Sequence, residues 1–490
     1  MAPEESTAAE TTAPDTIAPA ATAPEAALLE PAPPETAGLV RGLGPLQATA
    51  VVVSTIIGTG IFLVAAPMAR ATGSAFLVLT TWLVGTIIAL CGTLCFAELG
   101  AAFPLAGGLY VYLNRGLGPV YGFLFGWTTS VIATPVAMAT IAAGFVRFTS
   151  YLFPAINTPL LVLPIGHDGF TLTWAQPFAA AIVLAVTALN CLSVRVGGGF
   201  QLLLGSIKVG AIALIIVAGT LFAAAPSAPQ VAGAMNATAA TGSITTAVLS
   251  ALVPVMWAYN GFQNLGFLGG EIRDPTRHFA KALIVGVLVV GALYVLANVT
   301  YFHVLPFESV ATSQHVATDV VQTIFGPKGA IWLTVAMCIS ALASLHAVTM
   351  AESRAPYAMA RRGQFFELTA RVHPKFRSPV GALLFVGCVS ALVALTGTFE
   401  QLYSLYVFSM WGFFALAAVA LMRLRVREPH LERPYRAWGY PWTPLLFGVA
   451  AFALTANLLM EQPVRSSIGL LVTLAGLPFY RAWRAREHAS

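Results

Sequence analysis

Two apolar segments of membrane length, each broken at its centre by residues that do not hold a helix, constrain this chain more than any other feature. The first, residues 49–67, reads TAVVVSTIIGTGIFLVAAP and breaks at Gly58-Thr59-Gly60. The second, residues 252–270, reads LVPVMWAYNGFQNLGFLGG and breaks at Tyr259-Asn260-Gly261. In lipid every backbone N–H and C=O needs a partner, so unwound backbone is tolerated only where it faces protein or an aqueous cavity. Two such breaks at corresponding positions, five spans apart, point to the central site of a secondary transporter.

Composition leaves one class open. The chain is 58% hydrophobic and 9% charged, with mean hydropathy +0.80, where a soluble domain carries roughly 25% charged residues. Apolar runs of about 20 residues predict an all-α polytopic membrane protein of twelve spans, at 46–67, 74–96, 117–148, 175–194, 201–223, 245–268, 280–303, 329–352, 379–397, 401–422, 441–461 and 465–483. With the N-terminus inside, 20 of the 25 Lys and Arg fall on the cytoplasmic side. Arg70, Arg147, Lys328 and Arg465 fall outside, and Lys208 lies within a span. This distribution obeys the positive-inside rule and predicts both termini in the cytoplasm, at a plasma or inner membrane. The net charge of +5 then reflects topology, and no nucleic-acid partner is expected.

Residues 1–40 are rich in Ala, Pro, Thr and Glu, with seven acids and no Lys or Arg. They are expected to form a disordered cytoplasmic tail, since nothing in them builds a core. They lack the basic and apolar regions of a signal peptide. The five cysteines all fall in predicted spans and form no CxxC or Cys/His grouping, so neither disulfide nor metal is expected. No cofactor is expected either. The chain has no GxxxxGK[ST], HExxH or GxSxG motif, which weighs against an enzyme.

The first break exposes the N-terminal end of its outer half-helix, whose free N–H groups and positive dipole end favour a carboxylate. The break in the second segment frees carbonyls suited to an ammonium group. Together they describe a cradle for a zwitterionic α-amino acid. Glycines so spaced also serve close helix packing, and for Gly58 and Gly60 taken alone that reading is equally open.

Several segments resemble the amino acid–polyamine–organocation (APC) superfamily, in particular its bacterial amino-acid permeases and L-type amino-acid transporters. IIGTGIF in the first span, FAELGAAFPLAGGLYVYL (96–113), LNCLSVRVGGGFQ (189–201), GGEIRDPTRHFAKAL (269–283), YAMARRGQFF (357–366) with HPKFRSPVGALL (373–384), and RPYRAWGYPWTPLL (433–446) follow one another in that family's order and spacing. The resemblance runs from about residue 42 to 480. It implies a LeuT-type fold of inverted repeats at 41–223 and 245–422, two appended spans at 441–483, and a cytoplasmic C-terminus at 484–490.

Carried over residue by residue, the resemblance places the carboxylate on Gly58, Thr59 and Gly60, and the amine on the carbonyls of Ile56, Trp257 and Asn260, with Tyr259 beside them. Trp257 stands where relatives place an aromatic gate; an interfacial anchor is the ordinary alternative for a spanning Trp. GSIKVGAIALII resembles the lysine-bearing fifth span of sodium-independent members, so Lys208 would occupy the place of a coupling cation. A snorkelling lysine is the alternative. His346 falls where L-type relatives carry a small polar residue, and would contact the substrate side chain, sense pH, or pack as a neutral histidine. Glu98, Arg115, Glu271, Arg273, Asp274, Glu352 and Arg354 are expected near the cytosolic face, stabilising an inward gate or standing as solvated charges. Asn260, Phe262 and Gln263 depart from the L-type pattern, and the loop 152–174 lacks the cysteine that bonds a heavy-chain subunit, so no covalent heavy chain is expected.

The expected function is sodium-independent transport of neutral L-amino acids by alternating access, as an exchanger or, with protons as partner, a symporter. A transporter of cationic amino acids or polyamines is one alternative. A membrane amino-acid sensor without transport is the other.

Overall fold

The computed structural model describes residues 44–103, 107–163, 170–192, 198–222, 243–265, 274–376 and 378–487. The tail 1–40, together with Arg195, Glu271 and Arg273, lies outside the described residues.

The first predicted span is three helices: α1 (Pro45–Ile56), α2 (Gly60–Leu63) and α3 (Ala65–Thr72). Val64 keeps helical torsions between α2 and α3, so the outer arm runs almost unbroken from Gly60 to Thr72. Gly73, in the left-handed region at φ 62°, ends it, a conformation that costs glycine little. Then follow α4 (Ala75–Ala102), α5 (Leu109–Leu117), α6 (Pro119–Thr128) and α7 (Thr134–Leu152). A π-turn over Thr129–Ala133 joins α6 to α7. Pro135 explains it: lacking an N–H, a proline inside a helix denies a partner to the carbonyl four residues back and crowds it, so the ladder locally widens.

Beyond α8 (Ala175–Cys191) and α9 (Gly198–Phe222), the second half begins with α10 (Ile244–Ala258). It continues through α11 (Pro275–Val304), a short α12 (Phe307–Thr312) and α13 (Val316–Glu352). Gly326, at φ 71° and followed by Pro327, kinks α13, so its membrane-length part begins where the sequence predicts a span from 329. The remaining helices are α14 (Arg354–Arg361), α15 (Val380–Ala394), α16 (Phe399–Arg427), α17 (Trp442–Glu461) and α18 (Pro463–Glu487).

Among the described residues, nine segments are long and apolar enough to cross a membrane. Of the twelve predicted spans, α8 and α15 are apolar but short, at 17 and 15 residues, against about 20 for a full crossing. The twelfth, α18, is not among the nine, since Arg465, Arg481 and Arg484 crowd its ends. The structure is that of a helical polytopic membrane protein. It departs from the all-α expectation in the loop 152–174, where Pro159–Leu163 (β1) pairs antiparallel with Phe170–Thr173 (β2). The β-branched residues Val162, Thr171 and Thr173 favour this short ribbon, in which Val162 faces Thr171.

The core forms where α11 packs against α4 and α1, α13 against α7 and α9, and α16 against α17, α5 and α7. Large apolar side chains also face outward, among them Leu83, Ile87, Leu214, Leu288 and Phe452. Such a surface is stable against lipid, where apolar side chains need no partner and backbone groups are paired within helices.

Candidate functional site

The two breaks lie back to back. Helix α1 stops at Ile56, whose successor Ile57 turns to extended torsions, and the helix resumes at Gly60. Helix α10 stops at Ala258; Tyr259, Asn260 and Gly261 form a turn, and residues 262–265 continue as a tight helical turn. Gly261 adopts φ 120°, and a Cβ there would meet the Thr55 carbonyl oxygen at 2.8 Å. A Cβ on Gly60 would approach Ala258 to 3.0 Å and the Trp257 ring to 3.4 Å. Glycine is thus required on each side for the unwound backbones to touch.

Freed carbonyls of both breaks are tied together by a residue that sequence reasoning missed. The Tyr294 hydroxyl of α11 lies 3.2 Å from the Ile56 carbonyl and 3.1 Å from that of Ala258. Its ring packs edge-on to Trp82 and against Tyr259. The Tyr259 hydroxyl is in turn 2.7 Å from Thr86 Oγ1 of α4, so the Tyr259 side chain is fully buried in this aromatic cluster. No local signal marks Tyr294 in the sequence; only its place within a spanning helix, as a polar group needing a partner, could have drawn attention to it.

Asn260 is held from two directions. Its Oδ1 accepts from the Tyr406 hydroxyl of α16 and from Gln263 Nε2, both at 2.8 Å, while Gln263 Oε1 accepts the Gly261 N–H at 3.1 Å. Gln263 therefore braces the turn. Trp257, 7% exposed, lies edge-on to Tyr406 with centroids 5.1 Å apart and covers Gly60. Its carbonyl accepts the Asn260 N–H at 3.0 Å. Thr59 is buried, and its Oγ1 finds no hydrogen-bond partner among the described residues. A buried hydroxyl without a partner is costly, and this one sits within the first break. Gly144 of α7 closes in on it: a Cβ there would lie 3.2 Å from the Thr59 side chain.

Lys208 is 6% exposed, which removes the snorkelling alternative. Its Nζ donates to Ser344 Oγ of α13 at 2.6 Å, and Ser344 donates to the Ser340 carbonyl. One turn before it, Gly205 lets α9 press on Ser54 of α1, a Cβ there meeting the Ser54 Cβ at 2.6 Å. The lysine-bearing helix thus packs beside the first break. His346 is directed elsewhere. Its Nδ1 lies 3.0 Å from Asn190 Nδ2 of α8, and its Nε2 has no partner among the described residues. The amide donates to Nδ1, which leaves the proton on Nε2.

Two ion clusters flank the centre. Glu98, 1% exposed, receives a forked pair of bonds from Arg425 at 2.8 and 2.5 Å, a third contact from Arg433 at 3.5 Å, and the Ala437 N–H at 2.7 Å. Arg425 also lies over the Tyr440 ring at 3.9 Å. This clamps the linker after α16 to the end of α4. Arg115 sits over Phe103 instead of entering the cluster. At the opposite ends of the helices, Glu400 pairs with Arg147, with Arg70 at 4.0 Å. Arg147 also donates to the Gln314 carbonyl and Arg70 to that of Ala311.

Two interrupted helices meeting inside a bundle of apolar spans, with a buried lysine beside them, define a membrane transporter of small molecules. The chain belongs to the amino acid permease family, whose model it matches over residues 43–477. It is 29% identical over 456 residues to the serine/threonine exchanger SteT of Bacillus subtilis (strain 168), covering 92% of this chain and 99% of that one. To b(0,+)-type amino acid transporter 1 of Mus musculus it is 28% identical over 450 residues, covering 91% and 88%. To the large neutral amino acids transporter small subunit 2 of Mus musculus it is 29% identical over 448 residues, covering 90% and 81%.

Proposed function

We propose that the chain is a sodium-independent permease for neutral L-amino acids that works by alternating access, as an exchanger or a proton symporter. The observation that carries this reading is the contact between the two breaks, which brings the start of the outer half-helix and freed carbonyls side by side in the protein interior. Gly58, Thr59 and Gly60 would bind the carboxylate, with the Thr59 hydroxyl as a further donor. The carbonyls of Ile56, Trp257 and Asn260 would take the ammonium, beneath Trp257 as gate. Lys208 stands in place of a coupling cation, which removes the need for sodium. A serine/threonine exchanger and a large-neutral transporter among the relatives support neutral substrates.

The same reading takes twelve spans in two inverted repeats plus two, with both termini cytoplasmic in the plasma membrane. It takes the chain to work without a covalently bound subunit, although one relative is named a small subunit.

The test is uptake of labelled alanine into sodium-free proteoliposomes that are empty, preloaded with unlabelled amino acids, or under an inward proton gradient. Uptake only into preloaded vesicles identifies an exchanger, and proton-driven uptake into empty ones a symporter. Failure across a panel of neutral and cationic amino acids would return the sensor reading.

A further inference from the structure

Glu352 is the last residue of helix α13, at the end of the apolar run that starts after the Gly326 kink, and the substrate cradle does not use it. Glu352 is half-buried, and its Oε2 accepts a hydrogen bond from Thr134 Oγ1 of α7 at 2.7 Å. Among the described residues no Lys, Arg or His nitrogen lies within 4.0 Å of it, whereas Glu98 and Glu400 are both held by arginines.

The charged and titratable groups of the surrounding elements are otherwise engaged or turned away. Lys208 of α9 is bonded to Ser344, and His346, on the same helix as Glu352, to Asn190. Tyr406 of α16, in electrostatic range of Glu352, donates to Asn260. Arg354, Tyr357 and Arg361 follow on α14, with Arg354 and Arg361 exposed. Arg147 of α7 is at that helix's far end, paired with Glu400. Tyr294 of α11 bridges the breaks, and α8 and α15 offer only the thiols of Cys191 and Cys388.

A half-buried carboxylate at the end of an apolar helix, with one hydroxyl donor and no cation, is costlier as an anion than as the neutral acid. Thr134 is the first residue beyond the π-turn Thr129–Ala133, a feature frequent at functional sites. Proton uptake gives the carboxyl an O–H donor and weakens it as an acceptor, and so alters its contact with Thr134 of α7. Tyr406, which donates to Asn260 of the second break, lies in electrostatic range of the same carboxyl.

We propose that Glu352 takes up and releases the proton that accompanies the amino acid. The proposal rests on the reading of the chain as an amino-acid permease. In proteoliposomes of the full-length protein, Glu352→Gln should abolish acid-driven alanine uptake into empty vesicles while exchange in preloaded vesicles persists. Thr134→Val removes the donor to the anion, and should shift the acid-stimulated uptake profile to higher pH. Infrared titration of the purified protein should show a protonated-carboxyl band that disappears as pH rises and is missing in Glu352→Gln.

Undiminished acid-driven uptake in Glu352→Gln overturns the proposal, as does wild-type exchange without any proton-driven component. Loss of cationic amino-acid uptake alone would also overturn it, making Glu352 a substrate counter-charge. If no amino acid enters wild-type vesicles under any condition, the permease reading fails; the infrared titration then still decides whether Glu352 binds the proton.

Discussion

Gly261 faces the Thr55 carbonyl so closely that a Cβ on the glycine would lie 2.8 Å from the oxygen. Because φ at Gly261 is 120°, Gly261→Ala meets both backbone strain and a backbone clash. It should lose about 1–3 kcal/mol of stability or more and most of its exchange activity. Thermal unfolding in detergent and preloaded-vesicle uptake measure the two effects, and a variant with wild-type values in both would remove the back-to-back contact from the account.

Tyr294→Phe deletes one hydroxyl and leaves the carbonyls of Ile56 and Ala258 without that donor. Leaving a buried acceptor unsatisfied costs about 1–3 kcal/mol. The melting temperature should fall and the apparent affinity for amino acid should change, while Tyr301→Phe, whose hydroxyl is 3.4 Å from the Ile61 carbonyl, should have the smaller effect. Equal effects would show that the bridge between the breaks has no special place.

Lys208→Ala removes the donor to Ser344 and leaves a cavity beside α1. Sodium-free uptake should fall and its pH dependence should change. Unchanged uptake with an unchanged pH profile would end the idea that the lysine replaces an ion.

Glu98→Gln leaves Arg425 and Arg433 beside a neutral amide. Breaking a buried pair by removing one partner costs about 3–5 kcal/mol, with Arg425 partly exposed and so contributing toward the lower end. Denaturation should register this loss before any loss of substrate binding, since the cluster lies away from the breaks. A melting temperature equal to wild type would mean that the clamp contributes nothing to stability.

His315, just ahead of α13, donates from Nε2 to the Arg147 carbonyl at 2.8 Å. Burial holds its pKa below the ordinary 6.5, opposed in part by that bond to the Arg147 carbonyl. A group with a depressed folded pKa contributes stability that is complete above 6.5 and lost as pH falls below it toward the folded value. The melting temperature of wild type should therefore drop below pH 6.5 more steeply than that of His315→Gln; parallel curves would exclude this histidine as the cause.

The breaks were legible because their signal is local. Gly58, Gly60 and Gly261 interrupt runs too apolar to be loops, and lipid tolerates such interruptions in few places. Most helix boundaries among the described residues fell close to the limits that hydropathy predicts, for the same reason. What was hidden depends on contacts between segments far apart in sequence. Tyr294 reaches residues 238 and 36 positions away, and neither partner marks it in advance. The sequence left His346 open between a substrate contact, a pH sensor and a packed neutral histidine; its neighbour across the helices, Asn190 of α8, lies 156 residues earlier and could not be read from position. Glu98 was expected near the cytosolic face, in an inward gate or as a solvated charge; its partners, Arg425 and Arg433, come from a helix end and a linker more than 320 residues later. The ribbon of β1 and β2 went unseen because strands of five and four residues leave too short a pattern.

The Tyr294 bridge has one more consequence. A phenol carries a single proton, yet it stands between two carbonyl oxygens at nearly equal distances. That one proton is divided between the two oxygens, so neither receives a full hydrogen bond from it. The meeting point of the two half-helices is thus electron-rich by construction, and a visiting group with several N–H bonds can complete what the tyrosine alone leaves half done.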